Sequence, residues 1–159
     1  MGTVKKQEKG FTIIEVVLVL AIAGLIMLMV FIALPALQRG QRDQARKNDV
    51  STVAAAVNTY RSNNRGSFTG ISSAALQKYI DRLDQYDVTS VTVERGAGAG
   101  RITPTVDGVK VKIKAKCPAA TPAPGSANIA VVAGTARSVV VVTALEGNGS
   151  QKQLYCQDL

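Results

Sequence analysis

Residues 16–38 read VVLVLAIAGLIMLMVFIALPALQ, without a single charged side chain. Nothing else in the chain limits its fold so strongly. About 23 residues, at 1.5 Å rise per residue, cover the ~30 Å hydrocarbon core of a bilayer with a little tilt. A cleaved secretory signal has an apolar core of about 7–15 residues followed by a small-x-small site. This run is too long for that, and its small residues near Ala33 and Ala36 bracket Pro35. On hydropathy alone it is an anchor holding a soluble domain at a membrane.

The remainder is enough for one small domain with a shallow core. The net charge of +8, from 19 Lys+Arg against 11 Asp+Glu, allows attraction to anionic membranes or nucleic acid. Histidine is absent, which removes the commonest general base and metal ligand at neutral pH. Cys117 and Cys156 are too few for a zinc site without other ligands. The chain has no Gly-rich phosphate loop and no GxSxG elbow. No enzyme and no cofactor are expected.

Glu15 opens the apolar run, with Phe11, Ile13 and Ile14 before it. An acid within a membrane segment costs free energy unless it is partnered, so this one needs a reason. The heptapeptide Lys9-Gly10-Phe11-Thr12-Ile13-Ile14-Glu15 follows a short leader containing Lys5, Lys6 and Lys9. In this it resembles the type IV prepilins: a Lys-rich leader, Gly before the cut, Phe after it, and Glu five residues into the mature chain.

The resemblance implies a leader over 1–10, cleaved between Gly10 and Phe11 by a membrane prepilin peptidase, with methylation of the new Phe11 amine. It implies that Glu15 meets the Phe11 amine of a neighbouring subunit and sets register during assembly, an arrangement that pairs two otherwise stranded charges. Gly24 matches a family position, and Pro35 is the counterpart of the helix-kinking proline, three residues later than usual. The implied partners are other copies of the chain in a helical filament, minor pilins, an assembly platform with its ATPase, and the cytoplasmic membrane before assembly. The chain is thus expected first as a single-pass protein of the inner membrane and then in an extracellular filament. Charge does not decide orientation, because Arg39, Arg42, Arg46 and Lys47 follow the apolar run as closely as the leader lysines precede it. The family places the N-terminus in the cytoplasm.

Beyond Arg39 the helical period continues. Val50, Val53, Val57 and Tyr60 form an apolar stripe among Arg46, Lys47, Asn48, Asn58 and Arg61. One long helix is predicted, transmembrane over 11–38 and amphipathic over 39–65, with soft points at Pro35 and Gly40. It should end near Asn63-Asn64-Arg65-Gly66. The head over 66–159 is expected to hold a short helix from Ser72 to about Leu83, then four or so antiparallel strands covering one helix face. Val88–Val93, Val109–Lys116, Val139–Leu145 and a segment around Leu154 and Tyr155 carry the strand signals. Asp107-Gly108 and Gly147-Asn148-Gly149 read as turns. The architecture is α+β, the type IV pilin fold.

In an exported head, Cys117 and Cys156 are expected as a disulfide rather than free thiols. Pilins commonly bracket a C-terminal region this way, and closing such a loop contributes roughly 4 kcal/mol in the chain-entropy model. Lys110, Lys112, Lys114 and Lys116 alternate with apolar residues, placing four amines on one strand face that could meet DNA or another polyanion. A solvated face is the plainer reading, since no aromatics interleave to stack bases. Asn148-Gly149-Ser150 fits a glycosylation sequon, though Asn-Gly is more often simply a turn. The expected function is a structural pilin subunit serving adhesion, twitching motility or DNA uptake. The alternatives are a type II secretion pseudopilin, which a carboxylate-built calcium site would favour, and a membrane-anchored binding domain that never polymerises. Asp107, Glu146 and Asp158 are too scattered in sequence to suggest such a site.

Overall fold

The computed structural model describes residues 10–94, 96, 98–147 and 151–159. Most of the leader and the Asn148-Gly149-Ser150 sequon therefore lie outside the described residues. The chain divides into two compact units, Met1–Gln38 and Arg39–Leu159.

Helix α1 runs from Ile13 to Asn63. Its first part is helical because an apolar segment in lipid must satisfy its backbone groups internally. Pro35 lacks an N–H and so deprives the Phe31 carbonyl of its usual donor, yet the helix is assigned without interruption through Pro35 and Gly40.

The C-terminal end of α1 falls where the sequence placed it, with Gly66 left-handed (φ 81°) and Arg65 left-handed beside it (φ 54°). The Gly66 N–H reaches back to the Arg61 carbonyl at 2.8 Å and closes the last turn.

In the head unit, Val50, Val53 and Val57 are fully buried and Tyr60 nearly so. This stripe packs on strands β1 (Val91–Val93), β3 (Val109–Ile113) and β6 (Val139–Leu145). With β7 (Gln153–Asp158) these strands form a sheet in the order β1-β3-β6-β7. The β1–β3 pair is parallel, where only antiparallel pairing was expected. Parallel neighbours need a crossover connection. Here the crossover carries β2 (Gly100–Ile102), which joins a second sheet, β2-β5-β4, with β5 (Ile129–Ala133) and β4 (Ala115–Lys116).

That second sheet is the main departure from the expected head. It is required by β6, whose seven residues are all buried. Val139 and Val141 face the helix core, while Val140, Val142 and Ala144 face a second core with Ile102, Ala115, Ile129 and Val131. A strand apolar on both faces needs cover on both faces. The head is thus a helix, a four-stranded sheet and a three-stranded sheet.

Two smaller expectations are corrected. Asp107-Gly108 is no hairpin, because the strands on either side of it belong to different sheets. Gly108 is instead where the backbones pack closely: a Cβ there would sit 2.8 Å from the Ser90 carbonyl oxygen. Helix α2 spans only Ser73–Gln77, capped by Ser72, and stops short of Leu83. The buried Asp49 carboxylate accepts the backbone N–H groups of Asp84 at 2.6 Å, Gln85 at 2.7 Å and Tyr86 at 3.1 Å. Those donors tie the segment after α2 to α1; Leu76 reaches the core from α2, and Ile80 and Leu83 reach it from the non-helical segment beyond.

Candidate functional site

The N-terminal unit presents a helix start of defined chemistry. The Glu15 carboxylate accepts from the Thr12 backbone N–H at 3.0 Å and from the Thr12 hydroxyl at 2.7 Å. In return the Glu15 N–H donates to the Thr12 hydroxyl oxygen at 3.4 Å. This is a reciprocal capping box, with the cap at Thr12 and the acid three positions on. An S/T-x-x-E signature directly before an apolar run reveals such a box in sequence, and the heptapeptide reading passed over Thr12. The arrangement gives the acid a local partner, and its negative charge suits the positive end of the helix.

On both sides of the cap, large apolar side chains from Phe11 to Leu37 are exposed, Phe11 at 89% and Leu34 at 47%. Gly10 immediately precedes them, itself exposed and with no atom within 4 Å of where a Cβ would stand. Gly24 and Gly40 have equally open surroundings. A helix so clothed in apolar surface needs lipid or other helices around it.

Residues 5–31 match the family model of the prokaryotic N-terminal methylation motif. No curated protein and no solved structure matches the chain. The methylation motif covers the leader lysines, Gly10, Phe11, the Thr12–Glu15 box and most of the apolar helix. It supports a type IV pilin or pseudopilin and points to a structural role. Together with the apolar helix, it fits membrane insertion followed by a surface filament.

Away from the methylation motif, a second polar constellation lies within the head. Glu146, at the end of β6, takes Arg42 in a bidentate pair at 2.9 and 2.6 Å. It also accepts from Arg46 Nη2 at 2.9 Å. Arg46 reaches Asp43 at 2.9 Å, and Asp43 accepts the Glu146 and Gly147 amides at 2.8 and 3.2 Å. Hydrogen bonds first from Arg42 and then from Arg46 hold the Glu146 carboxyl down to about 2. Arg46 was expected on the solvated side of α1 but is 5% exposed, buried by this network. A lone arginine in a helical pattern gives no sign of a partner a hundred residues away.

Cys117 and Cys156 are joined, with Cα atoms 6.0 Å apart. Cys156 lies inside β7 and Cys117 follows β4, so the bond ties one sheet to the other. The Cys117 amide also donates to Asp158 at 2.7 Å.

The four lysines do not form one row. Lys114 adopts φ 54°, which ends β3 and sends β4 into the second sheet. Lys110 pairs with Glu94 at 2.8 Å, Lys112 is 8% exposed beneath the second sheet, and Lys114 and Lys116 are exposed. Strict alternation in sequence did not survive the change of sheet.

Proposed function

We propose that the chain is a structural pilin subunit which polymerises through its N-terminal helix into a type IV pilus. Its organisation would be a leader over 1–10, a polymerisation helix over 11–38, the amphipathic half of that helix over 39–65 and a head over 66–159. A prepilin peptidase cuts between Gly10 and Phe11, and the Phe11 amine is methylated. The mature helix waits in the cytoplasmic membrane until the assembly platform, its ATPase and minor pilins draw it into the filament.

The observation that carries this reading is the exposed apolar helix surface lying directly behind an intact methylation motif. Packing such helices together buries apolar area at roughly 25 cal/mol per Å², which holds a filament without covalent links. Glu15 then has two successive partners: Thr12 within the chain, and the Phe11 ammonium of a neighbour in the filament. Pro35 and Gly40 are the positions where the helix would yield during assembly.

Glu15→Gln separates the two roles of the acid, because Gln also completes a capping box. The variant should be cleaved and methylated normally yet yield at least tenfold fewer filaments by electron microscopy. Filament numbers equal to the parent would contradict the charge pairing.

A further inference from the structure

A pocket of about 430 Å³ opens in the head between the end of α1, the β3–β4 break and the loop before β6. Arg65, Lys114 and Arg137 line it, and no Asp or Glu does. All three cations are exposed, and none makes an ion pair among the described residues. Lys110, by contrast, is already neutralised by Glu94.

Backbone conformation singles out the same place. Arg65 and Lys114 are the non-glycine residues with positive φ among the described residues, and both line this pocket. The left-handed region disfavours any residue with a Cβ, and Gly or Asn would fill either position at lower cost. Strain of this kind collects where a site requires a particular side chain. Lys114 is fixed there by its amide on the Ser138 carbonyl and by the Gly134 amide on its own carbonyl, both at 2.7 Å.

Hydroxyls complete the lining. Ser67 Oγ and Thr69 Oγ1 lie 2.8 Å apart, and Ser67 Oγ also accepts the Thr69 amide at 3.1 Å. Whichever hydroxyl donates within that pair, the other keeps its proton for a ligand. The one aromatic in the lining, Phe68, is 7% exposed and offers no face for a base.

We infer that this pocket binds a phosphate-type dianion, either free phosphate or a small phosphate monoester. Three cations lining one pocket without a carboxylate repel one another while it is empty, and a compact dianion bound there would remove that repulsion and offer acceptors to both arginines. The concave lining, whose one aromatic is buried, suits such a group better than a nucleic-acid strand.

The test is a titration of the isotope-labelled full chain in nonionic detergent micelles, followed by backbone amide NMR. Glycerol 3-phosphate and inorganic phosphate should each give saturable shifts at residues 65–69, 114 and 136–137, and their relative affinities tell ester from free phosphate. Sodium chloride at matched ionic strength should give none. Arg137→Gln should weaken binding at least fivefold, and Lys110→Gln should leave it unchanged. Arg65→Gly should raise the melting temperature by relieving the left-handed residue while weakening binding at least fivefold. A merely structural effect would move stability and binding in the same direction. Shifts that fail to saturate, shifts reproduced by chloride, or undiminished affinity in Arg137→Gln would overturn the assignment. So would a single-stranded oligonucleotide that binds these residues more tightly than either phosphate probe.

Discussion

Arg46 and Glu146, a hundred positions apart in sequence, meet at 2.9 Å, and the arginine is almost wholly buried there. This contact fastens the first turns of α1 in the head to the end of its central strand. Removing Glu146 leaves the buried Arg46 with Asp43 alone and takes away the ion-pair partner of Arg42. Glu146→Ala should therefore destabilise the protein by about 1–3 kcal/mol, the range of lost hydrogen bonds to charged groups. Chemical denaturation of the full chain in detergent measures this, and a loss below about 0.5 kcal/mol, the range of ordinary surface changes, would contradict the account.

The same carboxylate sets a pH dependence. Its folded value is about 2 against an ordinary 4.5, so the depressed state is the folded one. The stability it contributes is present above pH 4.5 and is lost as pH falls from there towards 2. Melting temperatures taken between pH 6 and pH 3 should fall less steeply in Glu146→Gln than in the parent. Parallel curves would show that Glu146 does not carry the effect.

Gly108 lies against the Ser90 carbonyl, with no room for a methyl group. Because the obstacle is backbone rather than a flexible side-chain end, Gly108→Ala should cost about 1–3 kcal/mol. An unchanged denaturation midpoint would mean that the β1–β3 crossover packs less closely.

The Cys117–Cys156 bond closes a separation of 39 residues and joins the two sheets. Replacing both cysteines by serine should lower stability by about 2–4 kcal/mol. The strand amides of β4 and β5 should lose more hydrogen-exchange protection than those of β3 and β6, which the helix core also holds. Equal loss in both sheets would contradict the separate anchoring of the second sheet.

Several of these features could be read in the sequence, and the others fail for identifiable reasons. The Val50–Val53–Val57–Tyr60 stripe follows from local periodicity, and the apolar run and the Val139–Leu145 strand from unbroken apolar stretches, and each is found where the residues put it. The cysteine pairing follows from the exported setting that the leader implied. Three features escaped because they depend on distant partners. The docking of residues 84–86 on α1 is decided by Asp49, the burial of Arg46 by Glu146, and the splitting of the lysine strand by Lys114 turning left-handed. The second sheet was signalled indirectly, since a strand apolar on both faces calls for two covering layers. At the N-terminus, the Thr12–Glu15 box was present as an S/T-x-x-E signature beside the cleavage motif.

Intact-mass and peptide mass spectrometry of protein sheared from the cell surface would show where the mature chain begins and whether it leaves the membrane. The expected product is a polypeptide that starts at N-methylated Phe11, lacks residues 1–10 and has both cysteines oxidised. A chain recovered only from membranes, unmethylated and still carrying the leader through Gly10, would contradict the pilin reading and leave an anchored domain that does not polymerise.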